Sequence, residues 1–398
     1  MIAMNKRLLN CSALATLALL AGGCGKKGGS GDVLPGITIA GVSQDRTATN
    51  STFHFPVSLS ASTGRAVTVH YTTVAGTALA NTDFIPVSGT LTIPANQQQG
   101  TIDVTITGDS LRRADQTFTV QLDNPQNCTL ATDKATGTIQ NKDLLYYPVD
   151  NTGYSTPSTY PGYTLAWSDE FNTNTLNSAN WTFESGNNNG WGNNELEYYT
   201  DRPQNVFVSS GNLVIEARSE YFGGKNYTST RMITKNKKTF KFGRIDIRAR
   251  MPKGKGIWPA LWMLGNNIDA AGWPACGEMD ILELLGQEPN KIYGTLHWGA
   301  TVLSHSSKGS SYTLPGSSFD QQFHVYSLVW KQDDVRILVD DQEYVHVTST
   351  DVLGSPYPFN NDFFFIFNIA VGGNWPGNPD NTTIFPQRMI VDYVRVFQ

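Results

Sequence analysis

Strict alternation of apolar and polar side chains recurs along this chain, and few stretches carry apolar residues at helical spacing. Val67, Val69 and Tyr71 alternate with Thr68, His70 and Thr72; Ile102, Val104 and Ile106 with Asp103, Thr105 and Thr107; Phe118, Val120 and Leu122 with Thr119 and Gln121. A period of two predicts strands with one buried face. Turn residues at Ser88-Gly89, Pro94-Ala95-Asn96 and Asp123-Asn124-Pro125 separate them, so this part predicts a small antiparallel, Ig-like β-sandwich. Farther along, Leu213, Ile215 and Ala217 alternate with Val214 and Glu216, and Ile245, Ile247 and Ala249 with Asp246, Arg248 and Arg250. These predict longer antiparallel strands, and a run of them over this length predicts two curved sheets stacked face to face, a jelly-roll β-sandwich. The expected fold class is all-β.

Composition supports that class and divides the chain. The 398 residues include 37 Gly and 19 Pro, which excludes a helical bundle or coiled coil. Lys and Arg total 29 against 34 Asp and Glu, with no long basic block, so nucleic acid is not an expected partner. All nine Trp lie at or after Trp167, which marks a domain boundary. A first domain is expected over residues 32–143 and a second over 163–398. Between them, residues 144–162 are rich in Tyr, Pro, Ser and Thr without periodicity and read as a linker.

At the N-terminus Lys6 and Arg7 precede an apolar run from Leu8 to Leu20 that is too short to span a bilayer. Residues 1–23 therefore read as an export signal. Ala21-Gly22-Gly23-Cys24 resembles the lipobox of bacterial lipoproteins. That resemblance implies lipidation of Cys24 and an exported lipoprotein anchored at the outer membrane or cell surface. An ordinary signal peptide cut near Gly23 is the alternative and would leave the protein periplasmic or secreted. Residues 24–31 read as a flexible tether, and the mature protein is expected to be a monomer. Cys128 and Cys276 fall in different domains and are expected to be buried thiols.

Two segments carry the candidate chemistry. Glu278, Asp280 and Glu283 lie in Gly277-Glu278-Met279-Asp280-Ile281-Leu282-Glu283-Leu284, inside a stretch from Gly256 to Asn290 without Lys or Arg. On a strand Glu278 and Asp280 share a face, but Glu283 has the wrong parity to join them. A β-bulge near Ile281 and Leu282 restores it, and bulges recur beside active sites. Three crowded carboxylates push at least one pKa upward and separate their roles. A retaining glycosidase needs such a set: an ionised nucleophile and a protonated acid about 5–5.5 Å apart. A solvated acidic strand face is the plainer alternative.

The second segment is Ile257-Trp258-Pro259-Ala260-Leu261-Trp262-Met263. Alternation sets Trp258, Ala260 and Trp262 on one face, where indoles make platforms for the apolar faces of sugar rings. Burial in the core is the other fate open to a tryptophan. Pro259 argues for an edge or bulged position, since it lacks a ladder donor.

These segments, with Trp167-Ser168-Asp169-Glu170-Phe171, Trp191 to Thr200, Thr295-Leu296-His297-Trp298-Gly299 and Gly372-Gly373-Asn374-Trp375-Pro376-Gly377, resemble glycoside hydrolase family 16. The likeness is strongest to the bacterial laminarinase-like endo-β-1,3-glucanases. It implies a concanavalin-like jelly roll acting on β-glucan with net retention and without any cofactor needed for catalysis. It further implies Glu278 as nucleophile, Glu283 as general acid and base, and Asp280 as the group governing their protonation. Trp258 and Trp262 would line sugar subsites before the cleaved bond, Asn194 and Arg231 would hydrogen-bond sugar hydroxyls, and His297 would sit near the acid and leaving group. A structural calcium would be held by backbone oxygens near Glu170 and Gly211 and by the Asp392 side chain. Glu197 departs from the Gln common at its place. Mixed-linkage glucan, or a galactan such as agar or carrageenan, are alternative substrates, and a non-catalytic glucan-binding lectin is the rival from another class. The first domain, from Asp83-Phe84 through Phe118 to Pro125, resembles the Calx-β repeat, whose acidic loops often bind calcium; Asp83, Asp109, Asp115 and Asp143 are the residues in question.

Overall fold

A computed structural model describes residues 33–141, 146–173, 175–352 and 354–398. The export signal, Cys24, the tether and Asp143 lie outside the described residues.

The first domain is a β-sandwich of a four-stranded and a five-stranded sheet. The alternating residues read from the sequence fill its core, with Val67, Val69, Ile102, Val104, Ile106, Phe118, Val120 and Leu122 all buried. Phe118 stacks on Phe84 at 4.5 Å and meets Phe55 edge-on at 5.8 Å. A Cβ at Gly137 would lie 2.5 Å from the Phe118 ring, so this position admits only glycine. Not every pairing is antiparallel as expected. Gly36–Ile39 runs parallel to Thr129–Leu130, and Val42–Asp45 parallel to Lys134–Gln140. The opening segment changes sheets between Ile39 and Val42, and each half lies along the chain's return path.

Among the described residues, Asp83 and Asp109 of the acidic loops are bound by arginine. Arg46 reaches Asp83 at 2.8 Å and Asp109 at 2.6 Å, and Arg113 bridges the same two carboxylates. Burial opposes the charge on Asp83, but the Leu79 N–H, Arg46 and Arg113 outweigh it and hold the carboxyl below its usual range. Asp115 is engaged separately, accepting from the Asn141 N–H. Two guanidinium groups thus already supply the positive charge of the Asp83 and Asp109 pair.

The second domain stacks a ten-stranded sheet on a seven-stranded one. Its core lies between them and includes Ile215, Ile245, Leu261, Met263, Trp330, Phe365 and Phe367. The central strand Phe363–Val371 is buried along its whole length because both faces are covered. Phe363, Phe365, Phe367, Ile369 and Val371 point into the core, while Asn368 and Ala370 face a cleft on the other side. The strand Ile257–Gly265 lies beside it and is paired on both flanks, so Pro259 sits inside the sheet, not at its edge. The Ile257 carbonyl accepts from Gly286 on one flank, and Pro259 faces that same flank, where regular pairing begins only at Ala260. Its missing N–H thus falls outside the ladder.

Residues 146–162 are a strap, not a free linker. Tyr147 and Val149 pack against Val214, Phe323 and Ile390 on the outer face of the ten-stranded sheet. Tyr160 donates to Asp246 at 2.7 Å, and Arg248 donates to the carbonyls of Tyr154 and Asn151. The polar outward residues that alternate with the core side chains are what the strap binds. Cys128 and Cys276 are buried free thiols, one in each domain.

Candidate active site

The cleft occupies about 650 Å³ on the outer face of the seven-stranded sheet. Its floor is made by three neighbouring strands, Phe363–Val371, Ile257–Gly265 and Glu278–Leu284. The expected bulge is present. Leu261 pairs with Leu282 and Trp262 with Asp280, leaving Ile281 unopposed, and on the other flank Asp280 pairs with Thr295 and Glu283 with Tyr293. Ile281 and Leu282 both enter the core, and Glu278, Asp280 and Glu283 all line the cleft. The apolar demand of two consecutive residues is what turns Glu283 back to the acidic face.

Each outer acid has an indole donor. Trp258 Nε1 donates to Glu283 Oε1 at 3.1 Å, and Trp273 Nε1 to Glu278 Oε2 at 3.0 Å. Asp280 is 3% exposed, and its Oδ2 lies 3.1 Å from His297 Nε2 without an aligned hydrogen bond. His297 also lies 3.8 Å from Glu278, and its other nitrogen is 2.8 Å from His305. His297 therefore lies nearest Glu278 and Asp280, a position fixed by its pairing opposite Glu278, and its charge also acts on Glu283. Among the described residues, Glu278, Asp280 and His297 are also the group whose side chains come close enough to share a cation, within 4.8 Å.

Burial sets the protonation of the three acids. Burial, then the Asp280 charge, push Glu278 up to about 8, with His297, Trp273 and Arg231 acting in the opposite sense. Burial raises Asp280 to about 8. Burial followed by the charges of Asp280 and Glu278 holds Glu283 well above the usual range. Three such groups cannot all ionise together, so protons are retained in the cleft near neutral pH. Glu278, which accepts from Trp273 and faces His297 and Arg231, is best supplied to carry the charge.

The aromatic wall extends past the residues expected from sequence. Trp262 donates to Asn368 at 2.8 Å, and the Arg231 guanidinium is sandwiched between Trp191 and Trp262, 4.8 and 4.7 Å from their rings. Arg231 is also paired to Glu184 at 2.5 Å. Trp258 meets Trp375 edge-on at 5.5 Å, and Trp375 meets Tyr293 at 4.9 Å. Trp258 and Trp262 thus stand at separate places along the cleft, one against Glu283 and one against Arg231. Asn194 bonds Asn374 at 2.8 Å outside the lining, where Asn193 stands instead. Trp273, Trp375, His305 and Glu195 line the cleft and were missed in sequence. Trp375 sits in Gly372-Gly373-Asn374-Trp375-Pro376-Gly377, where an indole among turn-forming glycine and proline was the signal the sequence offered.

The residues named for calcium meet at one place. Leu165–Asp169 and Asn212–Phe222 pair in succession along the same edge of Gln387–Phe397, leaving Asp392 between them. Glu170 and Gly211 adjoin that gap. The Glu170 carboxylate is clamped by Arg395, however, and Asp392 Oδ2 accepts from Arg248 at 2.7 Å.

Both domains resemble known proteins. The Calx-beta domain matches residues 40–143, and Glycosyl hydrolases family 16 matches residues 180–395. A beta-glucanase of Rhodothermus marinus is 41% identical over 249 residues, covering 60% of this chain and 86% of that protein. Glucan endo-1,3-beta-glucosidase A1 of Niallia circulans is 39% identical over 268 residues, 62% of this chain but only 39% of that longer protein. The laminarinase catalytic domain of Thermotoga maritima MSB8 superposes with a TM-score of 0.56 at 47% identity, covering 59% of this chain and 98% of that one. With more than half of its length matched, and with the acidic bulged strand set in an aromatic cleft, the chain belongs to the glycosyl hydrolases of family 16.

Proposed function

We propose that this protein is a retaining endo-β-1,3-glucanase that cleaves internal bonds of β-glucan chains. The observation that carries the reading is the bulge at Ile281, which places Glu278 and Glu283 on one cleft face with an indole donor on each. The open aromatic cleft suits a chain that enters from the side, and the relatives named as endo-1,3-glucanases and laminarinases support the substrate class.

In the first step a Glu278 oxygen attacks the anomeric carbon, and the bond to the glycosidic oxygen breaks. Glu283 gives its proton to that oxygen, so the leaving sugar departs neutral. In the second step Glu283, now a carboxylate, takes a proton from water as the water oxygen attacks the same carbon and Glu278 is released. Asp280 keeps a proton beside Glu278 and so spares the cleft a second negative charge during attack.

Product analysis on laminarin, mixed-linkage glucan and agarose tests the reading. Oligosaccharides from laminarin are expected, and Glu278→Ala is expected to lose turnover but yield an inverted glycosyl azide when azide is added. Release from agarose alone would move the substrate to a galactan. Retained glucan binding with no release from any polymer would replace the enzyme with a lectin.

The export signal and the Cys24 lipobox support a lipid-anchored protein on the outer membrane or cell surface. Radiolabelled palmitate should enter the wild type and not Cys24→Ser. The gap around Asp392 supports a structural calcium held by the Glu170 and Gly211 backbone and by the remaining Asp392 oxygen. A lower melting temperature in EGTA, restored by calcium, is the expected result; no change would remove the ion from the account.

A further inference from the structure

Behind the cleft wall lies a buried pair of acids that the chemistry above does not use. Glu195, Glu197 and Tyr199 alternate along an extended segment and project to one side. All three are buried, Glu197 completely. Glu197 Oε2 accepts from the Val371 N–H at 2.6 Å, whereas its Oε1 is buried without a hydrogen-bond partner as a carboxylate. The side chain it faces is Glu195. From Glu195 the contacts lead to the cleft. Tyr199 donates to Glu195 Oε2 at 3.0 Å, Asn368 donates to the Tyr199 oxygen at 3.0 Å, and Trp262 donates to Asn368.

A carboxylate only accepts, so two ionised acids facing each other in this pocket would leave an oxygen of each unsatisfied and repel. A proton on Glu197 Oε1 turns the orphan acceptor into a donor aimed at Glu195. The charged and titratable groups facing the pair are Arg231, itself bound to Glu184, and Tyr199; Asn187 spends its amide on the carbonyls of Glu195 and Glu197. Arg231 favours charge on Glu195, which lines the cleft, over charge on the deeper Glu197. Burial and the neighbouring acid both hold Glu197 well above the ordinary carboxyl range.

We propose that Glu197 is a neutral carboxylic acid whose O–H donates to Glu195, and that this pair is a positioning element that orients Trp262 and Arg231 against the bound sugar. The inference rests on the glucanase reading for its effect on substrate, but the proton itself is independent of that reading. Loss of the proton in alkali puts two charges in one pocket and loosens the wall.

The test compares the wild type with Glu197→Gln, which has the same shape and a permanent N–H donor, and Glu197→Leu, which has none. Infrared difference spectra in D2O near pH 7 should show a protonated-carboxyl C=O band in the wild type that Glu197→Gln loses. On laminari-oligosaccharides Glu197→Leu should raise KM about tenfold, the effect of one lost hydrogen bond, with a smaller change in kcat. The wild-type KM should rise in alkali, and Glu197→Gln should restore KM and abolish that rise. An unchanged carboxyl band in Glu197→Gln overturns the proposal, as does a Gln variant whose KM follows the Leu variant or keeps the alkaline rise. If Glu197→Leu does not fold, the wild-type and Gln pair still decides. If the wild type cleaves no glucan, the infrared result still judges the proton while the glucanase reading falls separately.

Discussion

Glu283 holds its proton because the cleft is buried and already carries other acids. A carboxyl whose pKa is higher in the folded state than in the unfolded chain binds its proton more tightly when folded. Its stabilising contribution is full below the unfolded value of about 4.3 and is lost as pH rises through the folded value. Glu283→Gln removes that dependence. The variant should therefore melt above the wild type at about pH 8, with the gap closing toward about pH 4. Calorimetry at both values checks this, and an equal gap at the two would show that Glu283 is not the linked group. The same proton governs rate: the acid form serves the leaving oxygen, so kcat/KM should fall on the alkaline side as Glu283 ionises.

At the scale of the element, one unopposed residue decides which face the acid occupies. Deleting Ile281 leaves Glu278, Asp280 and the following Glu in strict alternation, all still on the cleft face. The cost is one buried side chain, about 2–5 kcal/mol, and a shift of the acid that lowers turnover by ~10²-fold. Deleting Met279 instead throws Glu278 out of phase with the other two and should abolish activity. Melting curves and laminarin hydrolysis of both variants make the comparison; a folded Ile281 deletion as inactive as the Met279 deletion would show that facing the cleft is not what the bulge secures. This element was legible in the sequence because parity is a local property: the three acids disagree by one residue, and two apolar residues stand between them. Cross-strand relations were less so. Nothing in the local pattern sets His297 opposite Glu278, or leads Pro259 to a gap in a central ladder. The strap was hidden for a related reason. Residues 146–162 have no periodicity of their own because their shape is imposed by Asp246, Arg248 and Tyr393 on the sheet beneath.

For the whole molecule, the question is what joins the two sandwiches. Arg112, from the first domain, is buried and donates to Glu216 at 3.0 Å and to the carbonyls of Pro203 and Gln204. Glu216 is fully buried on the outer face of the ten-stranded sheet, where Arg218 and Arg388 also reach it. Burial disfavours its charge, but Arg388, Arg112 and Arg218 outweigh that and hold its carboxyl below the ordinary range. The two residues are unequal partners. Without Arg112, Glu216 keeps two cations, whereas without Glu216 three guanidinium groups keep only Glu220, which lies 3.9 Å from Arg218 and is shared with Arg202. Glu216→Gln should therefore cost about 3–5 kcal/mol, measured as a drop in the melting temperature of the catalytic sandwich. Arg112→Ala should spare that sandwich and release the first domain. Calorimetry should then resolve two transitions where one is expected of the wild type, and proteolysis should cut near Tyr146, which follows the docked segment and whose carbonyl accepts from the Arg112 backbone N–H at 2.6 Å. A single unshifted transition in Arg112→Ala would mean that the strap alone docks the domains. The sign of the pH effect separates this contact from the cleft. A depressed carboxyl stabilises above its unfolded value and loses that contribution as pH falls through the folded one. Acid should thus act as Glu216→Gln does, undocking the domains and lowering the melting temperature of the catalytic sandwich as Glu216 takes up its proton, whereas the Glu283 contribution is lost only on the alkaline side; calorimetry that showed no loss on acidification would show that Glu216 is not the linked group.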